Sequence, residues 1–186
     1  MRKTSAPSIR PATERDLPAI ARVLVDTWRS TFQGILPDSF LSALSYPEQE
    51  ERHRRRMRQP ENQHLVIEDT AGTVVGFANS GRSRLVEYPH LSELYAIYIL
   101  ADHQARGLGR RLVGAVARAL IVQGRSRMLV RALEANPCRA FYEHLGAERL
   151  GMHSLAMEDF AVPAIDYGWD NVRQLAGLRE VGSMGE

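Results

Sequence analysis

The most informative stretch of the sequence is a turn that reads Gln104-Ala105-Arg106-Gly107-Leu108-Gly109-Arg110-Arg111. It follows a segment rich in aromatic and β-branched residues (93–99), which predicts a strand, and it precedes an amphipathic segment, which predicts a helix. The N–H groups and the dipole at a helix start attract anions, and glycine lets a phosphate approach the backbone. Arginines add paired donors for phosphate oxygens. The turn therefore predicts a phosphate site, and a plain tight turn is the alternative.

Two common phosphate-binding motifs do not fit this turn. A P-loop needs a lysine after its last glycine, and Lys3 is the only lysine of the chain. A dinucleotide fingerprint needs a third glycine where Leu112 stands, and no earlier strand–helix–strand unit precedes the turn. The sequence therefore excludes P-loop chemistry and disfavours a dinucleotide-binding fold.

Segments on both sides of the turn follow strand and helix periodicities in a readable order. Helical patterns come first, then a β-hairpin, then a β-α-β crossover over 93–133, which predicts a mixed α/β or α+β sandwich. A loop is expected over 79–92. Strands are predicted at 8–10, 64–68, 73–78, 93–99, 128–133, 148–153 and 164–169, and helices after Thr13, at 38–44, at 48–58, after the turn, and from Pro137 to His144.

Composition restricts the class of protein further. At 186 residues and 44% hydrophobic content the chain predicts one domain, over 8–170, with a frayed tail over 171–186. We find no apolar run of about 18 residues and no signal sequence, so neither a membrane span nor secretion is expected. Cys138 is the only cysteine, and no metal-ligand spacing is present, so we expect no metal and a cytoplasmic location.

One charge run needs a separate interpretation. The net charge is only +2, and nucleic-acid binding is not expected from it. The arginine-rich stretch 52–58 follows several glutamates, so the pairs Glu50–Arg54 and Glu51–Arg55 favour a solvated helix face. A patch that binds polyanions is the alternative.

The turn, read as Gln104-x-x-Gly107-x-Gly109, resembles the signature of the GCN5-related N-acetyltransferases. A second segment, residues 136–146, is similar to a helix of that family, and Ala147 follows it where phenylalanine is common. The opening 9–16 is also similar to the family's first strand and helix start, so the resemblance covers about residues 8–170. The second segment reads Asn136-Pro137-Cys138-Arg139-Ala140-Phe141-Tyr142-Glu143-His144-Leu145-Gly146.

This resemblance implies a mixed, mostly antiparallel sheet that splays between two parallel strands, 93–99 and 128–133, and is flanked by helices. Acetyl-CoA would lie in the opening as co-substrate, with its pyrophosphate on the N–H groups of the turn and its pantetheine on exposed main chain. The residues implied in cofactor binding are Ile97, Tyr98, Ile99, Gln104, Ala105, Arg106, Gly107, Leu108, Gly109, Arg110, Arg111 and Asn136, although Asn136 could also cap the helix that follows.

Two residues are candidates for the acid–base chemistry. Tyr142 matches the family's tyrosine and is the predicted general acid; an amphipathic core tyrosine is the alternative. Glu93 is the candidate base or amine anchor, because strand alternation would place it on one face with Tyr95, Ile97 and Ile99. A solvated carboxylate at the strand end is the alternative for Glu93.

The acceptor is expected to be a small-molecule primary amine. Trp28, Phe32 and Tyr95 are the predicted acceptor-binding residues, although Trp28 also completes a core stripe. We expect Cys138 to be a small buried hydrophobe rather than a nucleophile. A protein or peptide N-acetyltransferase and a non-catalytic acyl-CoA-binding regulatory domain are the alternatives, and the protein is expected to be a monomer or a homodimer.

Overall fold

The computed structural model describes residues 6–157 and 159–177. Every strand and helix predicted from periodicity is present, with ends shifted by a few residues. Short 3₁₀ turns occur at Glu14–Asp16 and Ala101–His103. The strands are β1 (Ser8–Pro11), β2 (Gln63–Glu68), β3 (Val74–Arg82), β4 (Ser92–Ile99), β5 (Met128–Leu133), β6 (Glu148–Ala156) and β7 (Ala161–Trp169). The helices are α1 (Leu17–Thr31), α2 (Asp38–Ala43), α3 (Tyr46–Met57), α4 (Leu108–Val122), α5 (Ala140–His144) and α6 (Arg173–Ala176).

The strands form one sheet in the order β1-β2-β3-β4-β5-β7-β6. All neighbours are antiparallel except β4 and β5, which are parallel. The parallel ladder holds only two residue pairs, Ser92 with Met128 and Glu93 with Leu129, and beyond them the two strands part. The predicted fold class, a mostly antiparallel sheet that splays between two parallel strands, is confirmed.

Helices cover both faces of this sheet because their apolar residues recur at intervals of three and four. On one face, α4 buries Leu112, Val116 and Leu120 completely or almost completely. On the other face, α1 packs Ile20 and Val23 against β2 and β3. Each fully buried side chain of this size contributes about 1.5–3 kcal/mol to folding. The sheet is therefore held rigidly on both sides of the parting strands.

Two predicted segments differ from the structure. The expected loop over 79–92 is shorter, because Asn79 and Ser80 are buried and continue β3 opposite β4. The frayed tail is contradicted at its start, since Val172 and Leu175 are fully buried in the core below α4. Apolar burial at these two positions outweighs the entropy of fixing a terminal turn. The remainder of the predicted tail, 178–186, lies outside the described residues.

Candidate active site

The parting of β4 and β5 opens a cavity of about 960 Å³. Strand β4 runs along it, and its residues Glu93 and Ile99 are separated by roughly 20 Å at the usual rise of a strand. Near Ile99 the wall is formed by residues 103–105 and 107–110, which we call the turn end. Near Glu93 it is formed by Arg52, Arg56 and Arg84, which we call the arginine end.

Among the described residues, none of the helices combines the length and the apolar character that a membrane span requires.

The backbone of the turn end is shaped to receive an anion. Ala105 and Gly107 both adopt left-handed conformations, with φ of 57° and 74°. The N–H groups from Ala105 to Arg110 donate to no described residue, whereas that of Arg111 already donates to the Gly107 carbonyl. Alternating left- and right-handed residues turn consecutive N–H groups toward one concave surface. This geometry at the start of α4 suits the binding of an anion by main-chain N–H groups.

The two glycines of the turn serve different purposes. A Cβ on Gly107 would meet nothing within 4 Å, so only its backbone conformation requires glycine. A Cβ on Gly109 would lie 3.3 Å from Cζ of Phe141, so the missing side chain lets α4 approach α5 closely.

The polar side chains of the turn divide between the cavity and the surrounding protein. The Gln104 amide nitrogen donates to the Ile99 carbonyl at 2.8 Å and so ties the turn to β4. Arg110 lines the cavity, whereas Arg111 donates to the Pro7 carbonyl at 2.6 Å. Neither Arg106 nor Arg111 belongs to the cavity wall. Backbone groups, more than arginine side chains, therefore line the turn end of the cavity.

The open edge of β4 presents main-chain groups to the cavity. The Leu100 N–H donates to the Val75 carbonyl at 2.9 Å, so Leu100 points its polar groups toward β3. The direction of the main-chain N–H and C=O groups alternates along a strand, so those of Tyr98 also point toward β3. The main-chain groups of Ile97 and Ile99 point toward the side from which β5 has parted. Their backbone groups are available to a ligand, apart from the Ile99 carbonyl that Gln104 occupies.

The predicted common face for Glu93, Tyr95, Ile97 and Ile99 is wrong. Ala96 pairs with Asn79 and Leu94 with Ser80, so Tyr95 is an extra residue, a β-bulge, on β4. As a result Leu94, Ile97 and Ile99 share the core cluster below α4. Glu93 lies on the opposite face, the one covered by α1, where Ala96 and Tyr98 also pack. Period-two counting cannot detect such a bulge.

Tyr142, on α5, lies on the cavity wall with 8% of its surface exposed. Its ring packs against Tyr167, with centroids 5.8 Å apart, and no described residue hydrogen-bonds its hydroxyl. Burial raises the pKa of the Tyr142 phenol well above its usual value. The phenol therefore keeps its proton at neutral pH.

Asn136 and Cys138 precede α5 and also line the cavity. The Asn136 side-chain oxygen accepts a hydrogen bond from the Cys138 N–H at 2.8 Å, which closes an Asx turn. Asn136 does not cap α5 itself, because α5 begins at Ala140 and Arg139 stands at its N-cap position. Cys138 is exposed, which corrects the expectation of a buried hydrophobe. Its place in the turn before α5, above the cavity, keeps it out of the core.

Glu93 is buried, with 2% of its surface exposed, and it is paired. Its carboxylate accepts hydrogen bonds from the Arg84 backbone N–H at 2.8 Å and from Arg84 Nε at 3.2 Å. The Arg84 guanidinium lies 4.2 Å from the ring centroid of Tyr95, whose hydroxyl donates to the Arg82 carbonyl at 2.6 Å. The solvated strand-end alternative is therefore wrong for Glu93, because the chain after β3 folds over it.

The arginine run on α3 is only partly a solvated face. Gln49, Arg52 and Arg56, at spacings of three and four, line the cavity. The expected pairs at i,i+4 do not form in the described chain; Arg54 instead pairs with Glu51 at 2.8 Å. Buried His53 fixes this rotation of α3, since it packs edge-on against Phe77 of β3. Gln49 and His53 lie four residues apart on one side of α3, and this spacing in the sequence could have indicated that this side is buried.

Aromatic rings complete the wall between α1 and β4. Trp28 lies 5.1 Å from Phe32, 6.1 Å from Phe40 and 6.5 Å from Tyr98, measured between ring centroids. Apart from Arg106 and Arg111, all predicted site residues line this one cavity. They are Trp28, Phe32, Glu93, Tyr95, Ile97, Tyr98, Ile99, Gln104, Ala105, Gly107, Leu108, Gly109, Arg110, Asn136 and Tyr142.

Comparison with known proteins identifies the family. The family model described as FR47-like protein matches residues 74–155. The uncharacterised N-acetyltransferase YuaI of Bacillus subtilis is 33% identical over 171 residues, which cover 92% of this chain and 97% of that protein. The chain belongs to the GCN5-related N-acetyltransferase family. The predicted enzyme class, an N-acetyltransferase, is thereby confirmed.

Solved structures agree on the fold of this N-acetyltransferase. PaiA N-acetyltransferase from Thermoplasma acidophilum, in complex with coenzyme A, matches with a TM-score of 0.66 at 14% identity, covering 89% of this chain and 100% of that one. YncA from Salmonella typhimurium, with its cofactor acetyl-CoA, matches with a TM-score of 0.68 at 20% identity, covering 89% and 94%. At these identities the likeness concerns the fold alone.

Proposed function

We propose that this N-acetyltransferase transfers an acetyl group from acetyl-CoA directly to a primary amine of a small molecule. The observation that carries the proposal is the single cavity between β4 and β5. It joins a main-chain anion site at the turn end to the buried, protonated Tyr142 and to the acidic side chain of Glu93. Helices α1 and α3 wall its far side, which favours a small acceptor over a protein chain.

The turn end fits the diphosphate of acetyl-CoA. Its free N–H groups, from Ala105 to Arg110, and the dipole of α4 would hold the phosphates, and Arg110 would add a cation. The main chain of Ile97 and Ile99 would bind the pantetheine amides along the open edge of β4. Acetyl-CoA supplies the thioester whose acetyl carbon accepts the amine.

The acceptor must lose a proton before it attacks. A primary amine with a pKa of about 10.4 needs about 4–5 kcal/mol to become neutral at pH 7. Glu93 is the proposed anchor for the ammonium and, directly or through a water, the acceptor of its proton. Arg84 holds the Glu93 carboxylate in place from one side.

The transfer forms a bond between the amine nitrogen and the acetyl carbon and breaks the bond from that carbon to sulfur. The N–H of Ile97, on the open edge, is a suitable donor to the oxygen that becomes negative during attack. Tyr142 is the proposed general acid: its hydroxyl gives a proton to the leaving thiolate and regains one from water. The raised pKa of Tyr142 supports this role, because the phenol holds its proton until sulfur needs it.

The direct test mixes the purified protein with acetyl-CoA and a panel of small amines and measures the release of free thiol. We expect thiol release that depends on the amine and saturates with it. Tight binding of coenzyme A without release for any amine would instead identify a regulatory acyl-CoA-binding domain. Release only with peptides would identify a peptide N-acetyltransferase.

A further inference from the structure

The arginine end of the cavity carries more positive charge than the nearby carboxylates neutralise. Of its three arginines, Arg84 pairs with Glu93. Arg52 and Arg56 have no hydrogen-bond or ion-pair partner for their side chains anywhere in the described residues. Glu48 also lines the cavity, but it is exposed near the start of α3 and pairs with neither arginine. Two cations therefore face the cavity without a carboxylate partner among the described residues.

Arg56 is the more deeply placed of these two cations. Its side chain is half-buried, whereas that of Arg52 is exposed. Burial, together with the nearby charges of Arg52 and Arg84, lowers the pKa of Arg56 to about 10. A guanidinium still carries its charge at neutral pH, and removal from water without a partner is costly. An anionic ligand would relieve that cost.

The side-chain oxygen of a neighbouring amide, Gln49, also lacks a hydrogen-bond partner among the described residues. Gln49 lies one turn before Arg52 and two turns before Arg56 on α3, and 8% of its surface is exposed. Its side-chain oxygen is buried. The cavity face of α3 thus offers two cations, Arg52 and Arg56, to a ligand.

The arginine end is distinct from the anion site of the turn. The two lie at opposite ends of the cavity, along roughly 20 Å of β4. Tyr98 lines the same cavity as Trp28, whose ring it contacts, and as Tyr142, the proposed general acid. Arg52, Arg56 and Tyr98 all line this cavity. An anion at Arg56 would therefore share the cavity with the proposed reacting groups without being part of the diphosphate site.

We propose that the acceptor is an amine that also carries an anionic group, a carboxylate or a phosphate, and that Arg56 binds this group. The inference rests on the proposed function and names the substrate class of the same cavity. Guanidinium binds either anion through two parallel hydrogen bonds, which would orient the amine toward Glu93 and Tyr142. The aromatic wall of Trp28 and Phe32 suits an acceptor whose remaining body is apolar. Arg56 is thus a specificity-determining residue.

The test compares amines that differ only in the anionic group. L-Phenylalanine and 2-phenylethylamine test the carboxylate, and O-phosphoethanolamine and ethanolamine test the phosphate. We expect the anionic member of at least one pair to have a kcat/KM about 10- to 100-fold higher in thiol release. Equal or better values for the amine that lacks the anionic group, in both pairs, would overturn the proposal.

Variants on α3 identify the residue responsible. Arg56→Gln should raise KM for the preferred acceptor with an anionic group about 10-fold or more, with kcat changed less, and should leave the matched amine that lacks this group unaffected. Arg56→Lys should recover part of the loss. The matched control is Arg55→Gln, on an exposed position outside the cavity wall, and it should change neither constant. An equal loss in Arg55→Gln would overturn the role of Arg56.

Binding measurements separate this proposal from the proposed function. Calorimetric titration of the coenzyme A-saturated protein with the anionic acceptor requires no turnover. Binding that Arg56→Gln abolishes supports the anion site even if no thiol is released, and in that case the proposed catalysis alone fails. If Arg56→Gln instead weakens coenzyme A itself about 10-fold, the anion bound by Arg56 belongs to coenzyme A, and the acceptor proposal is wrong.

Discussion

The turn end and the arginine end of the cavity present positive potential by different means. At the turn end the donors are backbone N–H groups, fixed by the left-handed conformations of Ala105 and Gly107. At the arginine end the donors are side chains of α3, held over the sheet by the burial of His53. A backbone site tolerates changes in most side chains, whereas a side-chain site changes with one substitution. The first suits a co-substrate common to a family, and the second suits an acceptor that differs between members.

The largest expected effect tests the group between the two ends. Tyr142→Phe should lower kcat by about 10²–10⁴-fold, because the leaving thiolate loses its proton donor. Steady-state thiol release measures kcat, and calorimetry should find the affinity for coenzyme A nearly unchanged. Tyr46→Phe, which removes a hydroxyl bonded to Asp26 on the surface, is the control. An unchanged kcat in Tyr142→Phe would remove this residue from the mechanism.

Gly107→Val should break the turn end. Valine is strained at a φ of +74°, and the loop would relax and scatter its N–H groups. We expect coenzyme A affinity to fall about 100-fold or more in a calorimetric titration. Gly124→Val provides a matched control, since Gly124 has a φ of +72°, equally open surroundings and no place on the cavity wall. Both variants should melt at similar temperatures, and only the first should lose coenzyme A. Normal affinity in Gly107→Val would contradict a main-chain anion site.

Glu93→Gln tests the acidic side chain beside the arginine end. Glutamine keeps the shape but loses the charge, so kcat/KM for the amine should fall about 10- to 100-fold at pH 7 while coenzyme A binds normally. The loss should shrink as the pH approaches that of amine deprotonation, because a neutral amine needs no base. Glu87→Gln, on the exposed loop after β3, is the control. A loss that is constant with pH would indicate a structural role for Glu93.

The smallest effect concerns the support of α3. Burial lowers the pKa of His53 to about 3 and that of His64 to about 4, below the value of about 6.5 in an unfolded chain. The unfolded state therefore binds more protons below pH 6.5, and stability falls as the pH decreases. Each histidine should cost about 2 kcal/mol at pH 5 relative to pH 7.5.

Thermal denaturation at both pH values measures this cost. His53→Phe, which keeps a ring against Phe77, should lose about half of the pH dependence, whereas His90→Gln on the exposed loop should retain all of it. A pH dependence that is unchanged in His53→Phe would show that other groups control it.

The sequence was most informative where the backbone alone determines the outcome. Gly107 and Gly109 indicated the turn, and the strand and helix patterns around them predicted the order of elements. The sequence did not predict the β-bulge at Tyr95, because the bulge depends on how β3 and β4 pair. It also failed at Arg56, because the side of α3 that faces the sheet depends on packing.

Through the resemblance of its motifs the sequence indicated the family, and by itself it determined the elements and the glycine-containing turn between β4 and α4. Local chemistry is sufficient for these, since glycine conformations, periodicity and helix starts act over a few residues. Only the tertiary structure decided that Glu93 is paired with Arg84, that Arg111 turns away to Pro7, and that Arg56 faces the cavity. Each of these contacts joins segments distant in sequence or depends on the rotation of a helix. Burial and pairing arise only when the sheet and its helices assemble.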